Sequence, residues 1–239
     1  MLRLIFSLFF FLNIASLYSQ ESNIDDPYLI LSKSHDQKLF ATLGSLKVKN
    51  DLIKKIDLKI SNLDINAEQK LNKRNELINQ ADLLIKKHLY NDNWFPIIWM
   101  PVFRSILSAE EADEISNHFE TEVGKLQKNI IDLQVIFEPL QWIILINNKI
   151  DTQSGDLKKE FKVIQDAWWE RAPTTSPVSG NNKEILKIAK KISNSHEAIK
   201  FAGGVAGKNY VKTIAVEGIG AIEQYFNETS QLITEELNL

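Results

Sequence analysis

Glu111, Glu114, His118 and Glu122 follow one another in steps of three, four and four residues. On an α-helix such steps bring side chains to one face. Carboxylates and an imidazole on one face can ligate a divalent cation. The spacing is not the Glu-x-x-His of di-iron bundles, because Glu114 and His118 are four apart and no second helix of this kind accompanies it. The stripe also runs one position beside an apolar one, where a solvated helix face belongs. We therefore expect no metal ligand here. Ala202-Gly-Gly-Val-Ala-Gly-Lys-Asn209 has the outline of a phosphate loop. That motif needs Gly where Ala202 stands, Ser or Thr where Asn209 stands, and a strand ahead of it. An isoleucine-striped helical pattern precedes it instead, so nucleotide binding is rejected. The four histidines, His35, His88, His118 and His196, are scattered through helical sequence and reveal no nucleophile–base pair. The reading leans away from an enzyme, with no catalytic, cofactor-binding or metal residue assigned.

Contact chemistry has more candidates. Trp94-Phe-Pro-Ile-Ile-Trp-Met-Pro-Val-Phe103 carries no polar side chain. One reading has its rings capping the end of a helical core. The other makes Trp94, Phe95, Trp99 and Phe103 an exposed patch for a partner, a lipid surface or an apolar ligand. Trp168 falls on a buried stripe, and Trp169 sits about 100° around the helix from it. Trp169 is thus either packing beneath the following linker or a ligand contact. Lys187, Lys190 and Lys191, with Lys183, line the polar face of a basic amphipathic helix. That face is either solvated or laid on anionic lipid.

The elements that position these residues are all helical. Asp26-Pro27 is an N-cap followed by proline at the first helical position. The apolar spacing from Leu39 predicts a helix to about Ser61. Asn66-Ala-Glu-Gln69 is a capping box that opens a second helix through Leu89, and the short link predicts an antiparallel hairpin. Pro96 opens a short helix that Pro101 kinks or ends. A second capping box, Ser108-Ala-Glu-Glu111, starts a long helix to about Phe137. Pro139 should break or kink it before a further segment to Ile150. Leu157, Phe161, Ile164 and Trp168 mark another helix. Residues 172–182 are a Pro- and Ser-rich linker. A last helix runs from about Tyr210 to Leu237. Gly203 and Gly207, four apart, would let another helix approach closely if both are helical, so 198–222 is either a close-packed hairpin or a segment that rearranges. No segment alternates with a period of two, so no sheet is expected.

Residues 1–19 have the basic start, apolar middle and small-residue end of a secretory signal. The chain has no cysteine and a formal net charge of −3. Its charge is one unit more negative once Arg3 departs. An acidic chain argues against non-specific nucleic-acid binding. The absence of cysteine excludes a disulfide framework and thiolate metal sites. A periplasmic or secreted location is expected.

The run Ser108–Ile130 resembles a signature of a family of secreted, all-helical bacterial domains of unknown function. An acidic helix start is followed by Phe119, Thr121, Gly124 and Lys125. That family often has proline after the Ser or Thr, where this chain has Glu122. The resemblance implies an envelope protein without a known activity.

The expectation is an all-α, multi-helix bundle of long amphipathic helices over 20–171, then the linker, then a C-terminal helical hairpin over 183–239. The leading functional expectation is an exported, non-enzymatic envelope protein that meets a protein partner or a membrane surface. The alternatives are a helical binding module for an apolar small molecule or lipid, and a membrane-acting effector using the glycine-rich hairpin.

Overall fold

Helix starts fall where short polar side chains can satisfy the free N–H groups of a first turn. Asp26 accepts the Tyr28 N–H at 3.0 Å and opens α1, Pro27–Lys33. Asp36 accepts the Leu39 N–H and opens α2, Gln37–Ser61. Asn66 and Gln69 form both halves of a capping box at the start of α3, Ala67–Leu89. Lys49 pairs with Asp82 and Arg74 with Asp57, at 3.0 and 2.6 Å, the order of antiparallel partners. In this computed structural model, residues 26–91, 94–153, 155–171, 187 and 190–239 are described, apart from the side chains of Trp169 and Arg171. The signal and linker expectations, and the side chain of Trp169, lie outside the described residues.

The chain continues through α4, Trp94–Ile106; α5, Ala109–Glu120; α6, Glu122–Ile130; a π-helical stretch, Ile131–Phe137; and α7, Glu138–Asn147. A 3₁₀ turn, Gly155–Leu157, leads into α8, Lys158–Arg171. After a helical turn at 190–193 come α9, His196–Gly203; α10, Val205–Thr213; a second π-helical stretch, Ile214–Gly218; and α11, Ile219–Glu236. The protein is an all-α multi-helix bundle, and no strand occurs among the described residues. One apolar cluster runs from Leu31 on α1 to Ile233 on α11. The C-terminal helices thus share the core of the N-terminal ones. Each large side chain buried there contributes about 1.5–3 kcal/mol relative to exposure.

At four places the structure departs from an expected break or decides between expected alternatives. Pro101 does not end its helix, because it lies inside α4, which runs on to Ile106. Its missing N–H is tolerated in a segment whose rings are anchored in the core. The long helix predicted to Phe137 breaks at Thr121, which is extended with φ −72° and ψ 158°. The Thr121 hydroxyl donates to the His118 carbonyl at 2.8 Å and accepts the Gly124 N–H at 3.0 Å. The residue is both the end of α5 and the N-cap of α6. Pro139 does not interrupt the chain's helical course, because the π-helical stretch ends just before it and proline falls in the first turn of α7, where a missing N–H is least costly. Gly203 and Gly207 do not share one helix, since Gly204 is extended between α9 and α10.

The two breaks are one construction used twice. Thr121 and Gly204 are each a single extended residue between helices. Three residues on, Gly124 and Gly207 pack where a Cβ would lie 1.7 Å from the His118 carbonyl oxygen and 2.1 Å from that of Phe201. Helices of nine residues follow, α6 and α10, and each passes into a π-helical stretch. The two corners also touch: the His118 and Phe201 rings stack at 4.1 Å and 12°.

Candidate functional site

The repeated units stand side by side, and their facing helices carry two different surfaces. The inner surface is polar at its centre. His35, in the turn between α1 and α2, lies between the two π-bearing segments. Its Nδ1 meets Asp132 Oδ1 at 2.7 Å, and its Nε2 meets the Tyr210 hydroxyl at 3.2 Å. Lys128, one turn before Asp132, lies 3.3 Å from its other oxygen and donates to the Ser34 carbonyl. Burial by itself would raise the Asp132 carboxyl, but the His35 ring and Lys128 together hold it below the usual carboxylate range. Asp132 is therefore the acceptor and His35 Nδ1 carries a hydrogen. In the neutral ring Nε2 then accepts from Tyr210. Burial, helped by the Asp132 charge, pushes the Tyr210 hydroxyl well above its ordinary range.

The relay has the order of a catalytic triad without its access. The His35 side chain is fully enclosed, and that of Asp132 is 4% exposed. Trp99 stacks on the imidazole at 5.1 Å and 11°, and Phe95 meets it edge-on at 5.9 Å. No substrate atom can reach Tyr210 or His35 in this arrangement. Its physical role is to tie the first π-helical stretch, through His35, to α10.

The aromatic stretch is part of this enclosure. Trp94, Phe95, Trp99 and Phe103 are all buried. The expectation of an exposed patch at these four residues is corrected: their faces are taken by one another, by Tyr225 and by His35. Gly218 makes room for this, since a Cβ there would lie 2.4 Å from the Trp99 ring. Among the described residues, the indole N–H groups of Trp94 and Trp99 find no hydrogen-bond partner, which costs free energy in a buried site.

The outer surface of the same helices is an open cleft of about 540 Å³. From one wall come Gln127, Ile130 and Ile131; from the other come Phe201, Ala202, Gly207, Val211 and Ala215. Ile192 also lines it, as do Lys208 and Lys212 from α10. Gln127 is already engaged, accepting from His118 Nε2 at 2.6 Å and donating to the Ala198 carbonyl at 3.3 Å. Gly207, held at the second corner, leaves the cleft wall without a side chain. The walls are spaced by the His35 relay behind them, because residues 131 and 132 face the two sides, as do 210 and 211.

Among the remaining sequence candidates, Lys187 and Lys190 are exposed, and Lys191 pairs with Glu122. The residues of the expected cation stripe go separate ways. Glu111 caps Ser108 and accepts from Asn209 at 2.7 Å, His118 is buried against Gln127, and Glu122 lies beyond the Thr121 break. No cluster able to hold a metal ion occurs among the described residues. The sequence reading missed the relay and the cleft. The repeated Gly-Lys pairs, Gly124-Lys125 and Gly207-Lys208, were the one signal that pointed to the paired corners. The run Glu122–Asn147 is long and apolar enough to cross a membrane, with a third of its apolar window buried. Leu133, Ile136, Phe137, Leu140 and Ile144 lie in the core, while Trp142 and Ile146 are 55% and 67% exposed. No family model, curated protein or solved structure matches this chain.

Proposed function

We propose that the protein is an exported, non-enzymatic binding module that takes an apolar small molecule or lipid between α6 and α10. The observation that carries this reading is the cleft. Its volume lies within the roughly 300–1,000 Å³ usual for small-molecule sites, and its walls are mostly Ile, Phe, Val and Ala side chains. The enclosure of the His35 relay supports binding over catalysis, because the buried acid–base groups face away from the cleft. The aromatic stretch that first suggested contact serves as the rigid backing for the cleft walls.

The test is titration of the full chain with N-phenyl-1-naphthylamine, a neutral dye that brightens in apolar sites. Saturable brightening that Ala215→Trp abolishes, with helical content unchanged, is the expected result. Brightening that Ala215→Trp leaves untouched would place apolar binding elsewhere and refute the assignment. A second reading, contact with a membrane surface, is favoured by Trp142 and Ile146, which stand exposed on one apolar helix. An indole at such a position suits a bilayer interface. Its test is a blue shift of Trp142 emission on adding anionic vesicles.

A further inference from the structure

Resting on the reading of the cleft as a ligand site, we propose that the ligand is a long-chain fatty acid whose carboxylate is held by Lys208 and Lys212. The two lysines stand one turn apart on α10, both exposed, and both line the cleft. Neither side chain makes an ion pair or hydrogen bond among the described residues. Lys47, Lys49, Lys128 and Lys191 are committed to Asp51, Glu160, Asp132 and Glu122; what sets Lys208 and Lys212 apart from other unpaired lysines is that both line the cleft. Among the described residues, no carboxylate lines the cleft. Like charges at i and i+4 repel one another on a helix, and an anion placed between them relieves that repulsion.

The cleft also offers an apolar surface beside the two lysines. Val211 on α10 and Ala215 in the π-helical stretch after it are interleaved with the lysines, and Ile130 and Ile131 come from the other wall. A chain lying on these residues buries methylenes, at a gain that grows with each one. Its terminal carboxylate meets two ammonium donors, the strong charge-assisted kind of hydrogen bond. A cationic amphiphile would meet repulsion at the same place. A neutral one would fill the apolar part and leave both ammonium groups unpaired.

The experiment is displacement of N-phenyl-1-naphthylamine from the full chain by palmitate and, in parallel, by hexadecanol. It uses wild type and the double variant Lys208→Met, Lys212→Met, which keeps the apolar stems and removes both charges. The expected result is palmitate competing at least tenfold better than hexadecanol in wild type, with the double variant erasing that advantage when both competitors are referred to the dye affinity of the same protein. Equal competition by the two ligands in wild type overturns carboxylate recognition and leaves the cleft reading standing. So does an advantage that survives in the double variant. Failure of dye and both ligands to bind wild type overturns both. Circular dichroism and melting of the double variant, matched to wild type, confirm that only the charges were changed.

Discussion

Replacing Asp132 by Asn keeps the side chain's shape and removes its charge. In the folded protein Asp132 is buried, receives His35 Nδ1 at 2.7 Å and lies 3.3 Å from Lys128 Nζ. The Asn variant leaves the largely buried ammonium of Lys128 without its counter-ion, and its amide can present an N–H to the His35 ring where an acceptor is needed. Breaking one partner of a buried pair costs about 3–5 kcal/mol, a large share of the roughly 5–15 kcal/mol that holds a domain together. With a urea dependence near the upper end of about 1–3 kcal/mol per molar for a chain of this length, the unfolding midpoint should fall by roughly 1–2 M. The assay is equilibrium urea unfolding followed by far-ultraviolet circular dichroism at pH 7. The pH dependence adds a sign. A carboxylate held below its unfolded value contributes stability that is fully present above that value, near pH 4, and lost as pH falls through the folded value. The gap between wild type and variant should therefore stay constant from pH 7 to 5 and shrink below pH 4. An unchanged midpoint at pH 7, or a gap that widens in acid, would refute the account of Asp132 as a charged, paired centre.

Other consequences can be checked on the same material. Tyr210→Phe removes the hydroxyl donor to His35 Nε2 and should cost about 1–3 kcal/mol by the same urea measurement. Gly124→Ala and Gly207→Ala place a methyl on a backbone carbonyl and should lower the melting temperature. Gly220→Ala meets open space within α11 and should raise stability by roughly 0.5–1 kcal/mol, the opposite sign. With Trp142, Trp168 and Trp169 changed to Phe, emission from Trp94 and Trp99 should be blue, resistant to acrylamide and indifferent to liposomes. Burial pushes the Tyr225 hydroxyl up to about 12. Its contribution to stability is present below the ordinary tyrosine range near 10 and should fade above it, a loss read in thermal melts at rising alkalinity.

The long helices α2 and α3 were legible because their signals are local: an apolar stripe, a capping box and a short link all lie within one stretch of chain. The corner at Thr121 was not, although its signal was local too. Phe119 and Val123 are four apart, so the apolar stripe runs on undisturbed, and periodicity outweighed a threonine followed by an acidic residue. The aromatic stretch shows the opposite limit. Its composition fixed that it must meet something apolar, but only tertiary packing decides whether that something is the chain itself. His35 was visible only as a lone histidine. The relay gathers it with Asp132 and Tyr210 from three distant segments, and no spacing rule reaches across such separations.

The same geometry explains why a buried relay matters to an exposed cleft. Asp132 and Ile131 are neighbours on one segment, and Tyr210 and Val211 are neighbours on the other, so each wall shows an apolar residue outward and a polar one inward. A bond from His35 to each inner residue fixes the spacing of the outer ones. Tyr210→Phe should thus loosen one wall without touching a lining side chain. Affinity for an apolar ligand should fall several-fold while the preference for palmitate over hexadecanol persists, because Lys208 and Lys212 remain in place. Loss of the preference along with affinity would mean that the relay acts on the lysines themselves. An unchanged affinity would show that the cleft walls are held by packing alone.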